Sequence, residues 1–376
     1  MTLEQRGRNV LAWLIGVCFP VQKKTPEQLR QEWQKGGIRK VLLIRPNQGL
    51  GDLLLATPVL RALKHLQPEP ELHFLSEAYN VLSVLTNTRI TRHWVWDKKG
   101  MRSSWRLVSF LRGIRRERFD LAIILTSNIP SFTTFLFARM TGATVLACST
   151  EPFYGGANWS RTLAHVEIPL PPEDSPEAAK FMAIVKPLGV SVDYTPEFNV
   201  SPEAVQRAAE RWRQWVFPAG NRKVGLFFGG NPDRPDRLWP AETWGRLAAY
   251  VEAEPTFSLV AIVPPESLRS GTRALERGVF DQARPYLKRS PPQFSDPDLE
   301  AVAAFLKGLD LFVCVDGGLF HVAVAAGVRT LGLMFITDPA RWVPPVPWVF
   351  CLKTDRPDQL SSETVFQKIQ EILRPH

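Results

Sequence analysis

The chain has 376 residues, of which 45% are hydrophobic and 22% are charged. This composition excludes a disordered or fibrous protein, and the length is typical of about two domains of ordinary size. The net charge of +9 favours an anionic partner, without distinguishing a nucleotide, a phospholipid and a nucleic acid. The cysteines have no CxxC spacing, so we expect reduced thiols, no zinc site and a reducing compartment; they are Cys18, Cys148, Cys314 and Cys351.

An apolar stretch lies near the start of the chain, at 10–21, with the sequence VLAWLIGVCFPV. It is shorter than the about 20 residues that a membrane-spanning helix needs, so we expect no span. Basic residues flank it on both sides, and it lacks the small-residue cleavage site of a secretory signal. Two interpretations remain open: a helix in the headgroup region of an anionic membrane, or a leading helix packed on the domain core.

The first half of the chain alternates continuous apolar runs with amphipathic stretches. This pattern predicts a parallel sheet covered by helices on both faces. The predicted strands are 40–45, 71–75, 94–96, 120–125 and 144–148, and the predicted helices are 52–66, 79–86, 105–116 and 132–141. The alternation weakens between about 151 and 222, where prolines interrupt regular elements, and we interpret the later part of this segment as the domain link.

A second α/β half follows a helix that begins after Ser201. Its predicted strands are 223–228, 258–263, 311–315, 330–334 and 349–353, and its predicted helices are 241–252, 266–277, 298–307, 319–326 and 361–373. We expect an extension at 1–37, an N-terminal Rossmann-like domain at 38–200, a C-terminal one at 201–360 and a final helix at 361–376. A ligand cleft is expected at the carboxyl ends of the strands.

The first cluster of candidate functional residues follows the first strand, from Arg45 to Asp52. Gly49 and Gly51 allow a tight turn, and the helix that follows offers unpaired N–H groups to an anion or a hydroxyl. A carboxylate at this place is positioned to accept a proton from a bound hydroxyl group. The alternative for Asp52 is helix capping, which aspartate performs commonly.

The second cluster is the polar loop at 228–240, which contains Asn231, Arg234 and Arg237. The two arginines are candidates for clamping phosphate oxygens through their planar donor forks. The alternative is solvated loop charge, in which both arginines pair with Asp233 and Asp236.

The third cluster is a strand that enters a glycine-rich turn and a helix of small residues. The backbone N–H groups of Gly317, Gly318 and Leu319, which follow Asp316, are candidates for holding a pyrophosphate. His321 is either part of this site or a buried histidine bonded to a carbonyl group. Glu266, after an earlier strand, either accepts hydrogen bonds from ribose hydroxyls or caps its own helix.

Three stretches, in their order and spacing, resemble the ADP-heptose:lipopolysaccharide heptosyltransferases of glycosyltransferase family 9. They are VLLIRPNQGLGDLLLATPVLRALK near the start, RLWPAETW in the middle and FVCVDGGLFHVAVAAGVRTLGLMFITDPARW near the end. The resemblance implies an α/β fold of the GT-B type, in which two Rossmann-like α/β domains with parallel sheets face each other across a cleft. It also implies inverting, metal-independent transfer from an ADP-sugar, without a cofactor.

The resemblance also assigns roles to individual residues. Asp52 falls at the position of the base that deprotonates the acceptor hydroxyl, and Arg237 falls where the family has a lysine that contacts the donor phosphates. A second set surrounds the nucleotide diphosphate, and Glu266 lies near the family's ribose-binding acid. That set is Asp316, Gly317, where the family has threonine, and Gly318, Leu319 and His321.

The expected function is transfer of a sugar, heptose by resemblance, from an ADP-sugar donor to a lipopolysaccharide-core or related glycan or glycolipid acceptor. We expect a cytoplasmic protein, with peripheral contact to the cytoplasmic face of the anionic inner membrane. Two alternatives remain open: a nucleotide-sugar-binding protein without transfer, and a nucleotide-sugar epimerase. Nucleic-acid binding is not expected, because the basic run at 112–118 has no interleaved aromatic residues.

Overall fold

The computed structural model of the chain describes residues 3–45, 49–76, 88–97, 104–126, 131–148, 159–169, 171–230, 234–265 and 273–374. The chain forms two compact units, Met1–Tyr194 and Thr195–His376, called unit 1 and unit 2 below. Unit 1 includes the N-terminal helices and unit 2 includes the final helix, both of which the sequence analysis separates as extensions. The finer limits at 37/38, 200/201 and 360/361 stay predictions.

Unit 1 contains a six-stranded sheet in which every neighbouring pair of strands is parallel. The order across the sheet is β3-β2-β1-β4-β5-β6. Leu43 in the central β1 lies opposite Phe74 on one side and Ile123 on the other. The strands are β1 (Lys40–Arg45), β2 (Glu71–Ser76), β3 (Arg92–Val95), β4 (Leu121–Ile124), β5 (Thr144–Cys148) and β6 (Val166–Ile168).

Helices pack on both faces of this sheet because its central strands are buried on both sides. One face packs against α1 (Leu3–Cys18), α4 (Ser104–Arg116), α5 (Phe132–Thr141) and α6 (Trp159–Leu163), whose buried residues share a core cluster with alternate strand residues. The other helices contact one another directly or through the 3₁₀ turn Lys186–Leu188. They are α2 (Pro26–Gln34), α3 (Leu50–Lys64) and α7 (Glu177–Val185).

Unit 2 repeats this architecture with the sheet order β12-β11-β10-β7-β8-β9, again all parallel. Its strands are β7 (Arg222–Phe227), β8 (Phe257–Ile262), β9 (Gln293–Phe294), β10 (Leu311–Val315), β11 (Thr330–Met334) and β12 (Val349–Lys353). Its helices are α8 (Pro202–Arg213), α9 (Ala241–Ala253), α10 (Arg273–Ala283), α11 (Leu299–Leu306), α12 (Gly318–Ala325), α13 (Pro339–Trp342) and α14 (Ser362–Leu373). Both units therefore have the Rossmann strand order, counted within each unit as 3-2-1-4-5-6.

The Rossmann order fixes where a ligand is expected in each unit. The connections that leave β1 and β4 run in opposite directions across the sheet, and so do those that leave β7 and β10. A crevice opens where the strand order reverses in this way, outside the carboxyl ends of the two strands. The residues that follow these four strands are therefore the first candidates for functional roles.

Two predictions about regular elements are wrong. The segment 151–222 contains β6 and α7 before the helix that follows Ser201, although no regular element is predicted there. β6 has three residues, and α7 is buried over most of its surface, so neither shows a clear hydrophobic period. Of the helix predicted at 266–277, the part at 266–272 lies outside the described residues. The described helix, Arg273–Ala283, extends beyond the predicted end, because Phe280 and Ala283 join the core. The helix predicted at 79–86 lies outside the described residues.

The cysteines are free, as expected. Burial raises the pKa of Cys148 and of Cys351 to about 12, so these thiols stay protonated and unreactive at neutral pH. No helix among the described residues is long and apolar enough to cross a membrane.

An ion pair between Glu177 and Lys180 is buried inside α7. The Lys180 ammonium lies 3.1 Å from Glu177 Oε1 and also donates to the carbonyl of Glu173 at 2.6 Å. Both side chains are almost fully excluded from water. A buried charge is tolerated when an opposite charge and hydrogen bonds satisfy it, so this pair is compatible with the burial of α7.

Replacing Lys180→Met removes the ammonium but keeps most of the side-chain volume. We expect the free energy of unfolding to fall by about 3 kcal/mol, because the Glu177 carboxylate loses its closest opposite charge. Urea denaturation measures the loss. The control is Lys186→Met at an exposed site just after α7, with an expected change within about 0.5 kcal/mol. Equal stability of the two variants would contradict a structural role for the pair.

Candidate active site

In unit 1, an arginine and an aspartate meet where the strand order reverses. Arg45 ends β1, and its Nη1 donates to the carbonyl of Leu125, just after β4, at 2.9 Å. Its Nη2 lies 3.1 Å from Oδ1 of Asp52, in the first turn of α3. The Arg45 side chain is 1% exposed, whereas the Asp52 side chain is 26% exposed. A buried cation therefore holds a carboxylate that solvent can reach.

The surroundings of Arg45 come from α7. The guanidinium lies over the ring of Phe181, 4.4 Å from its centroid. Burial lowers the pKa of Arg45, and the negative charges of Asp52 and Glu177 oppose this shift. The guanidinium stays protonated at neutral pH, because an arginine cannot be deprotonated in a protein. The cation is thus fixed by packing on Phe181, by the Leu125 carbonyl and by the Asp52 carboxylate.

The position of Asp52 differs from that of a capping residue. The N-cap of α3 is Gly49, which makes no side-chain capping bond, and Asp52 is the third residue of the helix. At this place its carboxylate interacts favourably with the positive end of the helix dipole. Gly51 lies beside it in the same turn. Asp52 is therefore not the N-cap residue, although its Oδ2 lies close to the N-cap Gly49, and its Oδ1 pairs with Arg45.

In unit 2, a carboxylate lies at the corresponding place. Asp316 follows β10, and its backbone N–H donates to the carbonyl of Leu333 at 3.1 Å. Its Oδ2 accepts hydrogen bonds from Nη1 of Arg237 at 2.7 Å and from the hydroxyl of Thr337 at 2.6 Å. The Asp316 side chain is 6% exposed and that of Arg237 is 28% exposed. Segments that follow β7, β10 and β11 are thus tied together by one carboxylate.

The two arginines of the polar loop behave differently. Arg234 forms a bidentate pair with Asp236, and both side chains are exposed, so the solvated-charge alternative holds for Arg234. Arg237 instead turns towards Asp316. Its Nε atom is buried and has no hydrogen-bond partner among the described residues. A buried donor without a partner is costly, so the site favours an acceptor such as a phosphate oxygen beside Arg237.

The turn after Asp316 leads into α12 with Gly317 as its N-cap and without a side-chain capping bond. The first turn of the helix, which includes Gly318 and Leu319, therefore presents backbone N–H groups that lack intrahelical partners. Gly317 is extended, and a Cβ added there would meet no atom within 4 Å. A Cβ at this position, where the resemblance implies a threonine, would therefore displace no neighbour.

His321 lies one turn into α12 and is buried, beside Asp316 and Arg237. Burial lowers its pKa to about 4, Arg237 acts in the same direction, and Asp316 opposes the shift. The imidazole is therefore neutral at physiological pH. It adds no charge to the site, so the positive charge available to an anion in this cluster comes from Arg237 and the helix terminus.

The structure brings together Arg237, Asp316, Gly317, Gly318, Leu319 and His321 in unit 2, and Gly51 and Asp52 in unit 1. Asn231 and Glu266 lie outside the described residues. The sequence places Arg45 at the start of the first cluster without assigning it a role, and it does not point to Thr337 as a site residue. An arginine that ends an otherwise apolar strand is a signal that could have identified Arg45, but the bond from Thr337 depends on tertiary structure.

Among the described residues, no three histidine, cysteine, aspartate or glutamate side chains form a cluster that could hold a metal ion.

Two Rossmann-like units with charged residues at their switch points define the class of the protein as a two-domain α/β fold of the GT-B type. The family model "Glycosyltransferase family 9 (heptosyltransferase)" matches residues 107–369, and the chain belongs to this family. It is therefore a glycosyltransferase, and the resemblance found in the sequence is confirmed.

Individual relatives agree with this assignment. Lipopolysaccharide heptosyltransferase 3 of Escherichia coli is 19% identical over 297 residues, which cover 78% of this chain and 83% of the relative. A family 9 glycosyl transferase from Veillonella parvula has a TM-score of 0.71 at 18% identity, over 89% of this chain and 97% of that chain. E. coli ADP-heptose LPS heptosyltransferase II has a TM-score of 0.65 at 16% identity, over 89% and 98% of the two chains. Both structural similarities show the fold.

The lowered pKa of His321 makes a prediction about acid stability. Between about pH 6.5 and pH 4 the unfolded chain binds a proton at this residue and the folded chain does not, so the free energy of unfolding falls as the pH is lowered. The loss from His321 is roughly 3 kcal/mol across this window. Urea denaturation of His321→Gln at several pH values should show a smaller pH dependence than the parent chain.

The matched control for this prediction is His65→Gln, since His65 is exposed. Its pH dependence should equal that of the parent chain. His165, whose pKa burial also lowers to about 4, is present in both variants and cancels in the comparison. An unchanged pH dependence in His321→Gln would contradict a neutral buried imidazole.

Proposed function

We propose that the chain is an inverting, metal-independent glycosyltransferase that moves a heptose from an ADP-heptose donor to a lipopolysaccharide-core or related glycan acceptor. The observation that carries the proposal is the Arg237–Asp316–Thr337 cluster, at the switch point of unit 2, in a chain of glycosyltransferase family 9. The relative from E. coli named for ADP-heptose supports the identity of the donor.

The donor diphosphate is held by unit 2 in this proposal. Its oxygens accept hydrogen bonds from Arg237 and from the first backbone N–H groups of α12. The buried Nε of Arg237 has no hydrogen-bond partner among the described residues and is one of these donors. As the bond to the sugar breaks, negative charge grows on the departing ADP. A guanidinium and oriented N–H groups stabilise this charge, so the site proposed here needs no metal ion and no cofactor.

The acceptor hydroxyl is activated by Asp52 of unit 1. The carboxylate removes the hydroxyl proton as the oxygen attacks the anomeric carbon, from the face opposite the leaving ADP, and a single displacement inverts the configuration. Arg45 holds the carboxylate in one direction through the contact at 3.1 Å, while the exposed part of the Asp52 side chain leaves room for the acceptor. Arg45 is thus a positioning residue, and Asp52 is the general base.

The acceptor class is a glycan of the lipopolysaccharide core or a related glycolipid, supported by the name of the E. coli heptosyltransferase 3 relative. Such an acceptor carries acyl chains that lie in a bilayer. We place the reaction in the cytoplasm, at the cytoplasmic face of the inner membrane. Family membership favours transfer over the two alternatives of a binding protein and an epimerase.

Replacing Asp52→Asn removes the base but keeps the size of the side chain. In an assay with ADP-heptose and a soluble core-glycan acceptor, we expect kcat to fall at least about 100-fold. The KM for the donor should change by less than roughly twofold, because Asp52 does not contact the diphosphate. The control is Asp355→Asn, at a highly exposed site in unit 2, with expected wild-type kinetics. Undiminished turnover in Asp52→Asn would remove this residue as the base.

A further inference from the structure

One face of unit 1 concentrates the exposed apolar side chains of the chain. This face is formed by α1, α4, α5 and α6, called the basic helical layer below, which packs on the sheet through a shared core cluster. Of the thirteen large apolar side chains that are exposed among the described residues, eight lie on this layer or directly after α1. They are Val10, Trp13, Leu14, Val17, Phe19, Trp105, Val108 and Met140.

Four of these residues form a stripe on α1. Val10, Trp13, Leu14 and Val17 have the i, i+3, i+4, i+7 spacing of one helix face, and they are 43–62% exposed. The inner side of the helix is held against α6. Ala12 is buried, and a Cβ added to Gly16 would lie 2.4 Å from Cγ2 of Thr162. The helix is therefore anchored by its inner side, while a continuous apolar face remains in water.

The outer side of α4 continues the pattern. Trp105 and Val108 are 67% and 42% exposed, and the exposed Arg112 follows on the same face at i+7 from Trp105. The helix ends at an open depression of about 550 Å³ lined by Arg115, Arg116 and Arg118 together with Phe119, Asp120, Thr141 and Gly142. The Asp120 carboxylate already accepts hydrogen bonds from the backbone N–H groups of Arg39 and Lys40. The depression is thus cationic and able to receive a phosphate group.

The charge of the layer is strongly one-sided. Among the side chains that the structure describes, its helices carry six arginines and no acidic residue. The helices α2, α3 and α7 of the same unit contain four basic and four acidic residues. Among the helices of unit 1, the excess of positive charge therefore lies on those that also expose the apolar stripe. The arginines counted here are Arg106, Arg112, Arg115, Arg116, Arg139 and Arg161.

We propose that the basic helical layer is a docking surface for an anionic phospholipid bilayer. Trp13, Trp105 and the exposed aliphatic side chains insert at the level of the lipid headgroups, and the exposed arginines of α4 contact the phosphates. Two observations favour a bilayer over a second copy of the chain. A self-complementary contact would bring two strongly positive faces together, whereas an anionic surface attracts them. An apolar stripe flanked by arginines and exposed tryptophans also has the composition of an interfacial helix.

This inference rests on the proposed function in one respect: an acylated acceptor makes a membrane the relevant surface. It explains how an enzyme with an acylated acceptor reaches its substrate, since the acceptor sugar lies within the headgroup region of the bilayer. Docking itself needs neither donor nor acceptor. Binding to vesicles can therefore fail or succeed independently of sugar transfer.

The test is co-sedimentation of the full chain with vesicles in the absence of both substrates. One set of vesicles is an equal mixture of phosphatidylglycerol and phosphatidylcholine, and the other is phosphatidylcholine alone. We expect binding to the mixed vesicles, weakened by added salt, and little binding to the neutral ones. Val17→Asp should weaken binding about tenfold, and Arg112→Glu should weaken it at least about fivefold.

Matched controls lie on α8 of unit 2. Val205→Asp and Arg207→Glu make the same changes at exposed helical sites and should bind like the parent chain. Thermal unfolding and transfer to a soluble acceptor verify that each variant is folded and active. Equal binding to both vesicle types, no binding to either, or equal losses in the controls would overturn the proposal. So would a Val17→Asp variant that keeps vesicle binding but loses a dimer seen in sedimentation equilibrium.

Discussion

An arginine paired with an aspartate lies at the switch point of each sheet, and the proposed chemistry depends on these two ion pairs. Parallel strands bring their carboxyl ends to one edge of the sheet, so residues distant in sequence meet there. In unit 2 the pair joins Arg237 to Asp316, and in unit 1 it joins Arg45 to Asp52. A charge buried at such a place needs an opposite charge, which keeps each partner in one position.

The two pairs differ in which partner is buried, and this difference separates their roles. In unit 1 the arginine is buried at 1% exposure, and the carboxylate of Asp52 is the partner that solvent reaches. In unit 2 the carboxylate of Asp316 is buried at 6% exposure, and the guanidinium of Arg237 is the more accessible partner. Unit 1 therefore presents an accessible carboxylate, and unit 2 presents an accessible cation. Sugar transfer from a nucleotide diphosphate requires both functions.

The sequence predicts much of the fold because the two sheets are buried on both faces. Continuous apolar runs such as 40–45 and 311–315 identify central strands, and glycine-rich turns after them indicate where a ligand is expected. The elements that were missed give weak local signals. α7 buries a lysine and a glutamate, which make its sequence appear only partly apolar, although the helix is enclosed by its surroundings.

The sequence predicts which residues belong to the candidate site but not which of them pair with each other. Residue type and neighbours alone do not distinguish Arg234 from Arg237, since each lies near an aspartate. The family resemblance singles out Arg237, and tertiary structure directs it to Asp316 and Arg234 to Asp236. The hydrogen bond from Thr337 to Asp316 joins the segments that follow two neighbouring strands, β11 and β10, and no local sequence pattern predicts it. Such pairings depend on the order of strands, which composition and periodicity leave open.

The most direct test of the central claim is calorimetric measurement of ADP affinity in Arg237→Gln and Arg234→Gln. The two variants carry the same substitution in the same loop, and thermal unfolding verifies that both are folded. If Arg237 is the accessible cation that receives the diphosphate, its variant binds ADP at least about tenfold more weakly, the loss of one charge-assisted hydrogen bond. The Arg234 variant then stays within roughly twofold of the parent chain, as expected for an exposed salt-bridged side chain. Equal affinities in the two variants would contradict the account.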